Sequence, residues 1–585
     1  MSKKVIVIGG GVAGMSAAHE LIERGFDVEI FDKHRLYVGG KARSVDVPSS
    51  NLLNAQKHLP GEHGFRFFPG FYTHIVDTMK RIPYGNQPQG VFDNLVEVDH
   101  VGIYQAGKRG IFAIVNFPES FADIKSTIGT LHADTGLTVE EKHFFAERIW
   151  QLMTTCYDRR LSEYEKIGWW EFMEADRFSD IYRALLVQGI TRTLVAANAK
   201  KASTRTDGDI LLQLLFNMTN PGKHTDRVFN GPTNDVWLTP WLTYLQEKGV
   251  KYTFNHTAKK LEIANGSITG VWVETYKNGK QEKTLATADY YILAVPIEVA
   301  AGLISKDILK SDPSLENIIK LAPSVAWMNG IQLYLSDVID VVHGHCLYAD
   351  SPWALTSISQ LQFWKDYDME DRYNGKVKSI LSVDISNWED DGILEYDVPD
   401  SNTGGTLKVK KQARHCTYAE IKNEVWAQLK ASLNVDGKVI LRDEQLIHWY
   451  IDHDITVSKQ GDDINKEPLL VNTVDSWSLR PEVNTQIPNL FLASDYVRTY
   501  TDLATMEGAN EAARRAVNFI IDASGVNAEK CQLWNLHEPD ILKPMRNRDQ
   551  KRYNQGLPYE FYVPFGLKLL EFITKFFLKL FGKQK

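Results

Sequence analysis

The first thirty-two residues constrain the chain most. Val5-Ile6-Val7-Ile8 is a β-branched run of the length of one buried strand. It breaks into Gly9-Gly10-Gly11 and resumes as an alanine-rich helix from Val12 and Ala13. Gly9, Gly11 and Gly14 fill the spacing G-x-G-x-x-G. In that spacing the first glycine makes a tight turn, the second leaves bare backbone against a pyrophosphate, and the third lets helix and strand pack closely. The helix N-terminus, with its unpaired N–H groups, faces the diphosphate. A second run, Val28-Glu29-Ile30-Phe31, ends on Asp32, about 20 residues on, where a carboxylate accepts from a ribose 2′-hydroxyl. Strand, glycine turn, helix and acid together predict a dinucleotide site on an α/β, Rossmann-type fold. They do not choose between a nicotinamide and a flavin.

The next segment does choose. After Lys33, the stretch Gly39-Gly40-Lys41-Ala42-Arg43-Ser44 places two glycines before basic residues and a serine. Glycines admit close backbone approach, and Lys41 and Arg43 offset phosphate charge. Towards the C-terminus, Leu490-Phe491-Leu492-Ala493-Ser494-Asp495 precedes Thr505-Met506-Glu507-Gly508-Ala509-Asn510-Glu511-Ala512-Ala513. Between the two lies Asp289-Tyr290-Tyr291-Ile292-Leu293-Ala294-Val295-Pro296, preceded by a strand-like run reaching Ala258. In this order the three segments resemble those of the flavin-containing amine oxidase and phytoene (carotene) desaturase superfamily. They are most similar to its carotenoid desaturase-like and hydroxysqualene dehydroxylase-like members. The resemblance implies FAD as cofactor. The Gly39–Arg43 segment would lie along the diphosphate and flavin, Ala258 would be near the adenine, Asp495 would bind the ribityl chain, and the backbone at Met506 would face the isoalloxazine. Lys41 stands where the family usually has arginine, and Ser494 and Ala513 stand where it has glycine; both replacements are small, so tighter packing with FAD retained is expected.

At 585 residues the chain is too long for one core. The motifs at both ends and in the middle predict a discontinuous FAD-binding domain, residues 1–80, 225–300 and 480–525. An inserted α+β substrate domain is expected from 81–224 and 301–479, with a tail at 526–585. Apolar spacing predicts helices over 140–156, 164–174, 181–197, 236–248 and 418–433, and strands over 330–335, 377–384 and 439–443. A net charge of −8 argues against general nucleic-acid binding. Four scattered cysteines form no C-x-x-C, and no metal-ligand spacing is present, so reduced thiols and a cytoplasmic location are expected. The N-terminus leads straight into the first strand, so no signal peptide is expected, and no uninterrupted apolar run is long enough to span a bilayer.

Residues 566–583 form the second informative stretch. On a helical projection Lys568, Glu571, Lys575 and Lys579 share one narrow face, and leucines, phenylalanines and Ile573 cover nearly all the rest. Such a helix, about 25 Å long, predicts peripheral attachment in a membrane interface; a helix docked on the protein's own surface or on a dimer partner is the alternative. An interfacial helix suits an enzyme that collects an apolar lipid from the bilayer.

With FAD carrying the redox chemistry, the protein binds, orients and tunes it. Gly61-Glu62-His63-Gly64-Phe65-Arg66-Phe67-Phe68 is the candidate flavin-proximal loop, with His63 or Arg66 transferring a proton or polarising the flavin; a packed aromatic turn is the plainer account. Asp502 is a candidate base or a helix-capping acid. The segment 351–360, Trp364, Trp169-Trp170, Trp237 and Trp241 line a substrate tunnel or fill core. The favoured expectation is a membrane-associated FAD oxidoreductase acting on a long isoprenoid or other lipid by hydride transfer to flavin N5, with a quinone or oxygen as electron acceptor. The alternatives are an amine oxidase making aldehyde and peroxide, and an FAD-dependent lipid isomerase or structural flavoprotein.

Overall fold

A computed structural model describes residues 2–51, 57–98, 100–114, 136–189, 199–218, 226–277, 280–370, 372–399, 404–452, 455–456 and 464–564. Strand β1 (Lys4–Ile8) runs into helix α1 (Val12–Ile22) and returns in β2 (Asp27–Phe31). Three strands from distant segments complete the sheet: β3 (Lys251–Thr253), β4 (Tyr290–Leu293) and β5 (Leu490–Leu492). The order is β5-β4-β1-β2-β3, with every pairing parallel. Val5, Ile6, Val7 and Ile8 are buried to within 1% because a parallel sheet is covered on both faces. After β5 comes helix α2 (Met506–Ser524), which packs on α1 through Ala509, Ala512, Ala513 and Ala516. At that contact Asn510 Nδ2 donates to Ser16 Oγ over 2.8 Å.

A second layer is a seven-stranded sheet. In spatial order it comprises Leu446–Ile451, Asn329–Leu335, Ser379–Ile385, Leu355–Ser359, Gly344–Tyr348, His100–Gln105 and Lys108–Ile114. Helix Tyr418–Leu433 opens with a capping box between Thr417 and Glu420. It packs Ile421, Val425 and Leu429 on Ile331, Leu333, Leu381 and Val383 of this sheet. A helical cluster, chiefly Val139–Thr154 and Thr204–Met218, forms a separate core with Trp169 and Tyr182.

Local differences from the sequence reading have specific causes. The helix expected over 164–174 breaks at Gly168, where the backbone is extended and pairs with Ser203, while Trp169 N donates to Ala202 O at 2.9 Å. The helix expected over 236–248 begins as a π-turn, Asn234–Leu238, before Thr239–Glu247. Pro240 has no N–H to return to Val236 O, and Asn94 Nδ2 takes that carbonyl at 2.7 Å. The strand expected over 439–443 is absent, because Asn434 Oδ1 accepts from Ile440 N and Leu441 N, both at 2.9 Å, in place of a neighbouring strand. The 181–197 prediction yields Asp180–Tyr182 and a π-helix Arg183–Gln188, and the remainder lies outside the described residues.

The four cysteines are buried and unbridged. The amphipathic stretch 566–583 lies outside the described residues. The chain leading to it is anchored: Tyr559 Oη lies 2.8 Å from Thr154 Oγ1, and Trp150 Nε1 donates to Tyr562 O at 3.1 Å. Among the described residues no helix is long and apolar enough to cross a membrane.

Candidate functional site

A cavity of about 360 Å³ runs from the carboxyl ends of β1 and β2 to helix Thr204–Met218. Its first wall is the glycine turn. Gly9 has φ +104°, and a Cβ on Gly14 would lie 1.9 Å from Gly9 O, so helix and strand meet there through backbone alone. Opposite Gly11 the nearest atoms to such a Cβ are Gly39 O and Gly40 Cα, both at 3.9 Å. Gly11 N-caps α1 without a side-chain partner, so bare backbone of Gly11, Val12 and Ala13 lines open space. That is the cradle a diphosphate requires.

Asp32 is 3% exposed and lines the cavity. It accepts from Tyr252 Oη at 2.6 Å and from His34 N at 2.8 Å, with His34 Nδ1 at 3.0 Å. Burial alone would raise its pKa, but the His34 ring and the Tyr252 hydroxyl outweigh burial and hold the carboxyl below its ordinary range. His34 responds in the opposite sense. Burial opposes its charge, yet hydrogen bonds to Asp32 and Glu467 raise it to about 9. His34 Nε2 lies 3.1 Å from Glu467 Oε1, and Arg43 Nη1 donates to Glu467 Oε2 at 2.8 Å. Arg43 Nη2 lies 3.8 Å from Asp452, which meets His63 Nδ1 at 2.7 Å. An unbroken run of charges thus joins the nucleotide end to the loop at residue 63.

Of the residues expected to hold FAD, Gly9, Gly11, Val12, Ala13, Asp32, Lys33, Gly39, Gly40, Lys41, Ala42, Ala258, Asp495 and Met506 all line this one cavity. Gly14 stands behind it as the packing glycine, and Arg43 is turned to Glu467 and to Gly40 O, 2.7 Å away. Lys41 donates to Pro468 O. Thr505 caps α2 by accepting from Gly508 N, at 3.0 Å. Glu507 faces away: it accepts from the N–H groups of Thr73, His74 and Ile75 and caps the helix His74–Lys80.

His63 and Arg66 line the cavity. Arg66 donates to Lys41 O at 2.6 Å and Gly64 O at 2.8 Å, which fixes the glycine turn against the loop. Asp502 is not brought to the cavity wall. Its carboxylate accepts from Arg205 at 2.5 Å and Thr499 N at 2.8 Å, both buried, and from the half-buried Trp477 Nε1 at 2.8 Å, so its acceptors are committed to structure. Trp169, Trp237, Trp241 and Trp353 are fully buried in cores, and Trp364 and segment 355–359 likewise pack away from the cavity. Trp169, Trp237, Trp241, Trp353, Trp364 and residues 355–359 are therefore core and not tunnel wall, whereas Trp170 is half-buried with Lys200 Nζ over its ring.

Several site residues carry no local signal in the sequence. Tyr252, Asp452 and Glu467 are single polar residues whose partners are remote in the chain. Asp384 lines the cavity beside Gly64, with Oδ1 buried and unpaired, and burial pushes its pKa to about 7 against the pull of Arg66 and His63. Glu62 is raised to about 7 by burial, against Arg66 and two hydrogen bonds from Thr233. Only the fold brings these groups to one loop.

The bare glycine cradle, the acid Asp32 at the cavity wall, the lining lysines and the α2 N-terminus fit FAD, which would lie from Asp32 towards Met506. Residues 7–82 match the NAD(P)-binding Rossmann-like domain family. A zeta-carotene desaturase of Arabidopsis thaliana is 36% identical over 114 residues, covering 20% of this chain and 17% of that protein. Its Synechocystis counterpart is 23% identical over 317 residues, 52% of this chain and 60% of that one. Among solved structures, cyclohexylamine oxidase of Brevibacterium oxydans superposes with a TM-score of 0.57 at 12% identity, covering 90% of this chain and all of the other. The match over residues 7–82 shows an NAD(P)-binding Rossmann-like domain, and the chain spans less than two thirds of the length of the desaturases it matches. In fold and in the motif residues gathered on one cavity it is similar to FAD-dependent amine oxidases and carotenoid desaturases.

Proposed function

We propose that the protein is an FAD-dependent oxidoreductase that acts on a long apolar lipid or isoprenoid drawn from a membrane surface. The carrying observation is that the nucleotide cradle continues, in one cavity, into a wall of Phe67, Phe71, Ile210, Leu214, Leu470 and Val471. Apolar side chains bury a hydrocarbon at about 25 cal/mol per Å² removed from water. The desaturase relatives give independent support for such a substrate, and the amphipathic stretch 566–583 supports collection at an interface.

A bound flavin supplies the two-electron acceptor. The protein's own residues do the rest. Asp32 and the glycine cradle hold the nucleotide, Arg66 ties loop 63–66 to the backbone at Lys41, and Asp452 orients the His63 ring at the wall. Phe67, Phe71 and Tyr72 exclude water from the reacting end.

Anaerobic mixing of the yellow holoprotein with liposomes carrying a total isoprenoid extract tests the reading. Bleaching of the oxidised flavin band, with a lipid product two hydrogens lighter, is the expected result. An isomass product without bleaching would make it an isomerase, and bleaching by mono- or polyamines alone would make it an amine oxidase.

A further inference from the structure

The far end of the cavity is lined by Ile210, Leu214, Leu470 and Val471 together with the polar Lys201, Asp207, Asn472 and Thr473, and two of these, Asp207 and Asn472, carry a buried polar atom without a partner. Asp207, in helix Thr204–Met218, is 3% exposed, lines the cavity, and has Oδ2 buried without a partner. Asn472 is 8% exposed and lines the same cavity. Its Oδ1 accepts from Arg480 Nη2 at 2.5 Å, which fixes the amide's orientation and leaves Nδ2 a buried donor without a partner. The two residues are held on adjoining backbone. Ser203 N donates to Asn472 O at 3.0 Å, Asp207 N donates to Ser203 O at 3.1 Å, and Ala202 bridges Thr473. Ile210, Leu214 and Val471 line the cavity with them.

Buried polar groups are normally paired, and the exceptions call for a partner not yet named. A pure hydrocarbon would leave both groups desolvated and unpaired. An ammonium group has no lone pair for the Asn472 donor. A hydroxyl has both a proton to give and lone pairs to receive.

We propose that the apolar substrate carries one hydroxyl group, which donates to Asp207 and accepts from Asn472, and that these two residues set substrate choice. This rests on the apolar-lipid reading and narrows it: the substrate is a long-chain or isoprenoid alcohol. Burial, with Glu165 nearby adding to it, also pushes Asp207 up to about 8. Near neutral pH its carboxyl is then largely neutral, which suits pairing with an uncharged alcohol.

The test measures binding of three probes of equal chain length to the FAD-loaded protein in detergent micelles. The probes are geranylgeraniol, the corresponding C20 hydrocarbon and geranylgeranylamine, and the readout is the shift each induces in the flavin absorption spectrum. The alcohol should bind at least tenfold tighter than the hydrocarbon and tighter than the amine. Asp207→Leu and Asn472→Leu should each abolish the alcohol's advantage while hydrocarbon binding holds or improves. Equal binding of alcohol and hydrocarbon to the unsubstituted protein would overturn the hydroxyl assignment and leave the lipid reading standing. So would a preference that survives in Asp207→Leu, or an amine that binds best. Failure of all three probes, with a short amine binding instead, would overturn the lipid reading itself. The comparison within the unsubstituted protein decides the matter even where a variant does not fold.

Discussion

His63 Nδ1 and Asp452 Oδ2 lie 2.7 Å apart in a buried pair that joins positions 389 residues apart in the chain. Asp452 also faces Arg43 Nη2 at 3.8 Å, and His63 Nε2 lies 3.5 Å from Asn329 Nδ2. The acid therefore holds the ring with Nδ1 turned to Asp452 and Nε2 turned towards Asn329. Asp452→Ala removes the acid from two buried cationic or donor partners at once. The expected loss is about 3 kcal/mol of unfolding free energy, since breaking one side of a buried pair leaves the other desolvated. Urea unfolding of the holoprotein measures it. A loss below about 1 kcal/mol would mean that the pair is not structurally coupled to the loop.

Asp502 gives a contrasting expectation. Its oxygens are taken by the buried Arg205 and Thr499 and by the half-buried Trp477. Asp502→Asn should lower stability by about 2–4 kcal/mol through the Arg205 charge left behind. The pH dependence of single-turnover flavin reduction should not move. A variant that remains stable but loses a titrating limb of that profile would restore Asp502 as the base.

The contrast shows what the sequence could and could not carry. The dinucleotide half was legible because its chemistry is local: Gly9, Gly11, Gly14 and Asp32 act at fixed offsets along one strand–helix–strand unit. The helix Tyr418–Leu433 was legible because amphipathic spacing and a capping box lie in its own residues. The cavity wall at residues 63–66 was not. His63 needs Asp452, His34 needs Glu467, and Arg66 needs the carbonyl of Lys41; no periodicity encodes such pairings. Asp502 shows the reverse. Its position just before the α2 N-terminus suggested reactivity, while the fold supplies Arg205 from nearly 300 residues away in sequence. The buried tryptophans were ambiguous for a related reason: an aromatic residue suits a core and a lipid channel equally well until the cavity wall is known.

His34 makes stability depend on pH. Its folded pKa is raised to about 9 between Asp32 and Glu467, above the ordinary histidine value of 6.5. A group raised on folding contributes fully below its unfolded pKa, and the contribution fades as pH rises through the folded one. The melting temperature of the apoprotein should therefore fall from about pH 7 to pH 10. His34→Gln should start lower and decline less steeply across that window. Parallel curves would show that the imidazolium is not charged in the folded protein.

Gly14→Ala tests the cradle. The added methyl would sit 1.9 Å from Gly9 O, a backbone atom that cannot rotate away, so α1 must shift from β1. Overpacking of this kind costs about 1–3 kcal/mol. Because the same turn forms the diphosphate wall, purified variant protein should contain less than a tenth of the parent's FAD per chain. Gly25→Ala is the control: a Cβ there meets nothing within 4 Å, although its φ of +81° carries a strain of its own. It should lose some stability and keep its FAD. Equal flavin loss in both variants would mean that general destabilisation, and not the cradle, releases the cofactor.

The membrane expectation turns on where the chain is cut. Tyr559 is tied to Thr154 and the Tyr562 carbonyl to Trp150, so a deletion beginning at residue 560 would disturb the helical cluster as well as the tail. Removing residues 566–585 spares both contacts and takes away the lysine-striped apolar stretch alone. The shortened protein should keep its FAD and its melting temperature within a few degrees. It should no longer float with anionic liposomes, and the full-length protein should float less as salt rises, because lysines near an anionic surface contribute about 1 kcal/mol each. Unchanged flotation after the deletion would move the membrane contact to the folded body, where Phe561 and Tyr562 are the exposed aromatic residues next to the cut.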